Sequence, residues 1–238
     1  MASSAHLIRT FDGFYPDPAY IREEAIAARY SDHSNDAGTT FGSSSLLAFV
    51  PCDICDRICQ AFKFDRIELL SSDAGTGCFY CTPAEGNFKE EFRVHRDSER
   101  DCNNPEFALL VYLTPHAPRE SGTGIYRHKN TGLWKEVSAA DAANLRRSVD
   151  ELEEMLDSDD QDKSKWDLIG FADNLYNRAV IYPSHWLHSG NGYFGNGVEN
   201  GRIYHMFFLR GWPDIFTSTE REIDLLFRSG KGKIFPHR

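Results

Sequence analysis

Short apolar segments that alternate with polar turns dominate the chain from about residue 66 onward. They are rich in aromatic and β-branched side chains, and clusters of Gly, Pro, Asn and Asp separate them. This pattern is typical of an antiparallel sandwich or barrel. The predicted strands are Ile67–Leu70, Cys78–Cys81, Phe92–His95, Phe107–Leu113, Gly124–Arg127, Ala179–Tyr182 and Ile203–Leu209.

Three segments have the features of helices. Asp17 and Pro18 are suited to the N-cap and the first position of one helix, and a second short helix begins at Pro51. Ser138 and Asp141 have the spacing of a capping box at the start of a third helix. Apolar residues follow at helical intervals in that segment: Leu145, Val149, Leu152 and Leu156.

These elements predict one domain over residues 1–238, because neither an internal repeat nor a linker interrupts them. N-terminal helices occupy about 1–65, and a β core follows over about 66–212. A helical insertion interrupts the core at about 138–157, and a C-terminal tail covers about 213–238. The predicted fold class is mainly β with flanking helices.

Composition narrows the possible functions. Hydrophobic residues make up 41% and charged residues 26% of the 238 residues, as expected for a soluble globular protein. The net charge of −10 argues against a broad nucleic-acid-binding face. Ten acidic and four basic residues in Asp141–Asp167 account for most of that charge, so the acidity is local.

Apolar runs and cysteines bear on the location of the protein. No apolar run approaches the length of about 20 residues that spans a bilayer, and the N-terminus lacks the apolar core of a secretory signal. Six cysteines are too sparse for a disulfide scaffold. We therefore expect a cytoplasmic protein with no membrane partner.

A His-x-Asp motif stands at the end of one predicted strand. Side chains two residues apart on a strand point to the same face, with Cα atoms about 6–7 Å apart. His95 and Asp97 can therefore converge on one metal ion. On its own this motif is weak evidence, because it occurs often by chance.

Two further residues extend this motif. His188 lies near the end of the segment NRAVIYPSHWLHSG, and Arg202 begins the apolar strand that follows a glycine-rich connection. A buried guanidinium without a partner is costly, so Arg202 either has an anionic partner or lies exposed at the start of its strand.

The order His-x-Asp, distal His and then Arg resembles that of the iron(II)/2-oxoglutarate oxygenases, in particular the prolyl-4-hydroxylase-like members. The resemblance covers about residues 66–212, including CFYCTPAEG before the motif and LLVYLTP after it. It implies a double-stranded β-helix, which is a cupin-like jelly roll whose open end holds the metal.

The resemblance also implies site residues and cofactors. His95, Asp97 and His188 would be the iron(II) ligands, and Arg202 would bind the distal carboxylate of 2-oxoglutarate, with O₂ as the co-substrate. Tyr80 occupies the place of a tyrosine that often bonds the same carboxylate. Tyr204 stands where the family usually has Ser or Thr, which leaves the second contact to the carboxylate open. Two imidazoles and one carboxylate form the facial triad of non-heme iron oxygenases.

Other residues are candidates for the borders of a substrate site. Arg93 lies two residues before His95, so its side chain points to the same face of the predicted strand and could contact a substrate. A salt bridge on the sheet is the alternative role for Arg93. Arg127 and His128 follow SGTGIY, where related oxygenases place pocket residues. The polar segment Tyr30–Ser45 is predicted to be a loop, and with the turn Ser98–Asn104 it would border the substrate. By contrast, two other histidines are not expected to be ligands: His185 in a loop and His205 on the opposite face of its strand.

The leading hypothesis is a dioxygenase that hydroxylates an unactivated C–H bond of an amino acid or an amino-acid-derived small molecule. Asp97 supports hydroxylation, because related halogenases have Gly or Ala at this position. A hydroxylase of protein or peptide side chains is an alternative, and so is a non-catalytic cupin-like metabolite binder.

A zinc-stapled binding module is a further alternative. Cys52 and Cys55 form one CxxC pair, and Cys78 and Cys81 form another. The helical and strand positions of these residues give poor geometry for a shared zinc ion, so we predict that they bind none.

Overall fold

The computed structural model of the chain describes residues 7–34, 40–72, 75–83, 92–98 and 106–228. The strands are β1 (Arg9–Asp12), β2 (Tyr30–Ser34), β3 (Thr40–Ser45), β4 (Arg66–Leu69), β5 (Phe79–Thr82), β6 (Glu106–Tyr112), β7 (Thr123–His128), β8 (Trp166–Ala172), β9 (Arg178–Pro183), β10 (His188–Gly190) and β11 (Arg202–Trp212). The α-helices are α1 (Pro18–Ala27), α2 (Ile54–Phe62), α3 (Ala139–Leu145), α4 (Val149–Ser158) and α5 (Thr217–Arg228).

Two antiparallel sheets form the framework. The larger sheet has the strand order β1-β9-β6-β11-β5-β3-β2, with β4 paired to β11 outside this row, and the smaller sheet has the order β10-β7-β8. The register of β11 places Tyr204 opposite both Tyr80 of β5 and Tyr112 of β6, and Arg202 opposite Thr82. Three tyrosines therefore cross the centre of the larger sheet beside an arginine.

The larger sheet is covered on both faces. Phe107 of β6 packs on Phe64 and on Phe216, at ring-centroid distances of 5.3 Å and 5.8 Å. Tyr112 of the same strand lies on the other face, since the two positions differ by an odd number, and its hydroxyl is 2.7 Å from the hydroxyl of Thr123 in the smaller sheet. This double coverage explains why β6 is a continuous apolar run rather than an alternating one.

The helical insertion is two helices rather than one. Arg146 has a left-handed backbone (φ 54°), which ends α3, and Ser148 caps the start of α4. The predicted capping box is present, because the Ser138 hydroxyl accepts from the amide of Asp141 while the Asp141 carboxylate accepts from the amide of Ser138. Apolar residues of both helices belong to one core cluster with Val94, and Glu153 of α4 contacts Arg96, so the insertion packs beside the His-x-Asp motif.

Several element predictions need correction. Tyr30–Ser45 is a hairpin of β2 and β3 in its described part rather than a loop, and β1 joins the larger sheet, so the segment before residue 65 is not only helical. The residues after 212 include α5, whose Ile223 is buried in the main core. The predicted strand Phe92–His95 is reduced to an isolated bridge at His95. The turn Ser98–Asn104 lies outside the described residues except for Ser98.

The mainly β fold with flanking helices is as predicted. Six of the predicted strands coincide with observed ones to within a few residues, while β8 and β10 were not predicted. None of the helices in the described ranges is long and apolar enough to cross a membrane.

Candidate metal centre

The structure brings His95, Asp97 and His188 together. His95 and His188 face each other across an antiparallel bridge, in which the amide of each donates to the carbonyl of the other at 2.9 Å. The amide of Asp97 donates to the carbonyl of Ser184 at 2.8 Å, which places the carboxylate beside both imidazoles. Backbone pairing therefore holds His95 and Asp97 against the segment 184–188, which ends in His188.

The ligand atoms are spaced as one metal ion requires. The Nε2 atoms of His95 and His188 lie 3.7 Å and 3.4 Å from the two carboxylate oxygens of Asp97. Two atoms that each bind one metal at about 2.1 Å can be at most about 4.2 Å apart, so these distances fit. Within the described ranges, this is the group of His, Cys, Asp and Glu residues whose ligand atoms converge closely enough to hold a metal.

The hydrogen bonds of the imidazoles direct their lone pairs at the same point. The Nδ1 atom of His95 is 3.1 Å from the carbonyl oxygen of Arg93, and that of His188 is 2.9 Å from the carbonyl oxygen of Trp186. A carbonyl oxygen only accepts, so Nδ1 carries the proton and a neutral ring has its lone pair on Nε2. Burial lowers the pKa of His188 to about 4, which keeps this imidazole neutral at pH 7.

These observations indicate a binding site for a cation. The two Nε2 atoms and the Asp97 carboxylate converge on one point, and a positive charge at that point stabilises this arrangement. The donor set of two imidazoles and one carboxylate suits a divalent transition metal such as iron(II).

Arg202 lies at the buried end of the same cavity. The side chain is only 3% exposed, and its Nε donates to the carbonyl of Ser121 at 2.7 Å. The guanidinium stacks over the ring of Tyr204 at 4.6 Å and lies 5.5 Å from the ring centre of Tyr112. No carboxylate of the described residues forms an ion pair with it. A buried guanidinium without a carboxylate partner favours an anionic ligand, because burying its charge is costly.

One cavity of about 450 Å³ connects the metal ligands with Arg202. The ring of Tyr182 lies 4.6 Å from that of His188. Burial first, and then the charge of Asp97, raises the pKa of Tyr182, so its phenol stays protonated and can donate a hydrogen bond. Other residues that line the cavity are Gly42, Tyr80, Thr82, Arg93, Arg96, Leu110, Thr123, Ser189, Gly190, Tyr193, Tyr204 and Met206.

Most of the residues chosen from the sequence line this cavity. Tyr80 and Tyr204 stack nearly parallel with their ring centres 5.4 Å apart, and both border it. Arg93 lies at the rim, where its Nε donates to the carboxylate of Asp160 at 2.8 Å. Arg93 therefore forms a salt bridge, which was the alternative role considered for it. Its partner belongs to the segment after α4 and not to the sheet.

Arg127 and His128 do not line the cavity. The guanidinium of Arg127 covers the ring of Phe227 at 4.3 Å, and the His128 ring is buried with its Nε2 at 3.0 Å from the Asp159 carboxylate. Strand β7 borders the cavity at Thr123, and each residue along a strand adds about 3.3 Å, so these two side chains are too far away. The substrate-anchoring role expected for this pair is not compatible with these positions.

The histidines expected not to be ligands have other partners. His185 directs its Nε2 to the carboxylate of Glu220 at 2.8 Å. His205 is buried between the hydroxyl of Tyr15 and the carbonyl of Phe49, each at 2.8 Å.

The sequence interpretation missed several residues of the cavity, among them Tyr182 and Tyr193. Tyr182 lies in an apolar strand six residues before His188, and a tyrosine in such a strand is usually a core residue. Only the pairing of β9 with β6 shows that its ring faces the metal ligands. Arg96, the residue between His95 and Asp97, also lines the cavity, and its Nη1 contacts Glu153 of α4 at 2.6 Å.

Several solved structures have a fold similar to that of this chain. HygX from Streptomyces hygroscopicus, with nickel and 2-oxoglutarate bound, is 12% identical with a TM-score of 0.50, and the match covers 90% of this chain and 85% of that chain. SnoN, a non-heme alpha ketoglutarate dependent epimerase from nogalamycin biosynthesis, is 9% identical with a TM-score of 0.48, covering 87% and 77%. A prolyl hydroxylase from Trichoplax adhaerens is 9% identical with a TM-score of 0.45, covering 92% and 87%.

At these identities the likeness concerns the fold and not the substrate. The match to HygX confirms the predicted jelly roll. The other two structures have TM-scores too low to add to this argument.

The sequence itself matches the model of a family of unknown function, DUF6445, over residues 55–198, which is more than half of the chain. The matched segment contains His95, Asp97 and His188 and ends shortly before Arg202. No curated protein matches the chain. The chain therefore belongs to DUF6445, a family of unknown function.

Proposed function

We propose that this chain is a single-domain iron(II)- and 2-oxoglutarate-dependent dioxygenase. The observation that carries the proposal is the cavity in which His95, Asp97 and His188 converge at one end and the buried Arg202 lies at the other. The first group calls for a metal cation and the second for an anion. A metal-bound dianion whose far carboxylate reaches Arg202 meets both requirements at once.

The charges support this pairing. Two neutral imidazoles and one carboxylate leave a divalent ion with a net charge of about +1, which favours a dianionic cosubstrate. Arg202 would bind the far carboxylate through a planar guanidinium that its stacking on Tyr204 holds in place. Tyr80 and Tyr204 border the same region, and Tyr182 offers a phenol between the two ends of the cavity.

Iron with 2-oxoglutarate bound would supply the activation of O₂ and the oxidation of a substrate C–H bond. The residues of the chain would bind, orient and shield the reactants. Aromatic rings surround the cavity and limit the access of water, while His95 at the exposed end leaves an approach from solvent. Because Asp97 completes the triad, we propose hydroxylation as the outcome.

The proposed substrate is an amino acid or a small molecule derived from one. The cavity continues past the metal ligands to a rim with Arg93 and Arg96, and no separate recognition domain is present among the described residues. A peptide or protein side chain is the second candidate, since the metal end of the cavity opens to solvent at His95.

The test is anaerobic loading with iron(II) and 2-oxoglutarate, followed by O₂ and a panel of amino acids and peptides, with succinate release as the readout. We expect succinate release that a substrate stimulates and that Asp97→Ala abolishes. Stoichiometric zinc that is lost in Cys52→Ala would instead support the zinc-stapled module. Iron binding with no release of succinate would favour a cupin-like binder.

A further inference from the structure

We propose that Glu220 of the C-terminal helix α5 is a positioning residue for the metal ligands. This inference rests on the proposed metal site. Glu220 lies outside that cavity and outside the part of the chain that the DUF6445 model matches. Its side chain contacts the segment 184–188, which holds the ligands in place.

Glu220 is a buried carboxylate with several donors. It is 4% exposed, and its Oε1 accepts from Nε2 of His185 at 2.8 Å and from Nε1 of Trp186 at 3.0 Å. Its Oε2 lies 3.4 Å from the ammonium group of Lys135. One oxygen atom thus fixes two consecutive side chains of the segment 184–188.

That segment touches every metal ligand through its backbone. The carbonyl of Ser184 accepts from the amide of Asp97 at 2.8 Å, and the carbonyl of Trp186 accepts from Nδ1 of His188 at 2.9 Å. His188 itself forms the two-way bridge with His95. A shift of residues 184–188 would therefore change the positions of all three ligands together.

A neighbouring carboxylate, Asp224, provides a control that distinguishes positioning of the metal ligands from anchoring of helix α5. Asp224, one turn further along α5, contacts Lys135 at 3.1 Å and Nε1 of Trp134 at 3.2 Å. Both partners lie outside the segment 184–188. Asp224 therefore attaches the same helix to the same side of the domain without a side-chain contact to the ligand segment.

The test measures cobalt(II) affinity and the visible spectrum of the bound cobalt(II), which reports ligand geometry without turnover. We expect Glu220→Ala to weaken binding about tenfold, as for other groups that orient metal ligands, and to change the spectrum. Glu220→Gln keeps an acceptor oxygen and should recover most of the affinity. Asp224→Asn should lower thermal stability and leave affinity and spectrum unchanged.

Each outcome decides the inference. Wild-type affinity and spectrum in Glu220→Ala, or the same loss in Asp224→Asn, would overturn it. If Glu220→Ala does not fold, Trp186→Phe removes one of the two donors and should still weaken binding several-fold; unchanged affinity there would overturn it. Wild-type protein that binds no divalent metal would overturn the inference and the proposed function together. Cobalt binding that depends on Glu220, without succinate release, would contradict only the proposed function.

Discussion

Replacing Arg202 with methionine should abolish most of the affinity for 2-oxoglutarate. Methionine fills much of the space between Tyr204 and Tyr112 and removes the charge, so packing changes little. Removing one partner of a buried charged pair costs about 2–5 kcal/mol. Arg202 already directs Nε to the carbonyl of Ser121 at 2.7 Å, and its Nη2 is only 3.4 Å from that of Gly122. Its Nη2 also lies 3.5 Å from the hydroxyl of Thr123, so the partners of the terminal nitrogens are neutral groups at long distances or aromatic residues, which a ligand carboxylate can replace or join.

We accordingly expect a loss near the middle of that range, about 3 kcal/mol, which corresponds to a dissociation constant raised about a hundredfold. The assay is calorimetric titration of 2-oxoglutarate into nickel-loaded protein. The affinity for nickel itself should not change, because the metal ligands are untouched. The free energy of unfolding of the metal-free protein should change little, because the substitution removes both the cost of burying the charge and the hydrogen bond to Ser121.

Arg127→Met is the matched control. This arginine also covers an aromatic ring, at 4.3 Å, but lies outside the cavity, so its replacement should leave 2-oxoglutarate binding unchanged. A dissociation constant for Arg202→Met within about threefold of the wild type would be well below the expected cost and would refute the assignment.

Three further predictions concern other residues. Tyr182→Phe should weaken 2-oxoglutarate binding by about 1 kcal/mol, the usual contribution of one hydrogen bond, and an unchanged affinity would remove the phenol from the site. His205 has a pKa that burial lowers to about 3, below its unfolded value, so the unfolded chain gains the proton first. Stability should fall by up to about 1.4 kcal/mol per pH unit from about pH 6.5 down to about pH 3, and His205→Gln should flatten this slope in acid-unfolding curves; an identical slope would contradict the reasoning. Cys55→Ala should retain the metal content of the wild type, measured by elemental analysis, and a lost zinc ion would revive the zinc-stapled alternative.

The strands could be predicted from the sequence where burial leaves a strong pattern. β6 lies between two packed layers, so its residues are continuously apolar, and β11 is similar. The hairpin of β2 and β3 lies at one edge of the larger sheet, where polar Ser, Thr and Asp residues fit, and this composition resembled a loop. The helix α5 lies within the predicted C-terminal tail, so the sequence did not indicate it.

The candidate site could be predicted only where its residues are close together in the sequence or follow one another in a recognisable order. His95 and Asp97 are neighbours, and His188 and Arg202 follow in a recognisable order. Arg127 and His128 were misplaced because the sequence does not show how far along β7 the cavity extends. A bulge between Ile125 and Tyr126 also shifts the alternation of that strand. The contact of Glu220 with His185 joins residues 35 positions apart, and no periodic pattern indicates it.

Anaerobic absorption spectroscopy tests most directly whether iron and 2-oxoglutarate share this cavity. A 2-oxo acid that chelates iron(II) through its carboxylate and oxo group produces a visible charge-transfer band. We predict that the band appears when 2-oxoglutarate is added to iron-loaded protein, saturates at one equivalent per chain, and is absent in His188→Ala. Iron that is bound by the three ligands but gives no band at saturating 2-oxoglutarate would contradict the proposed function.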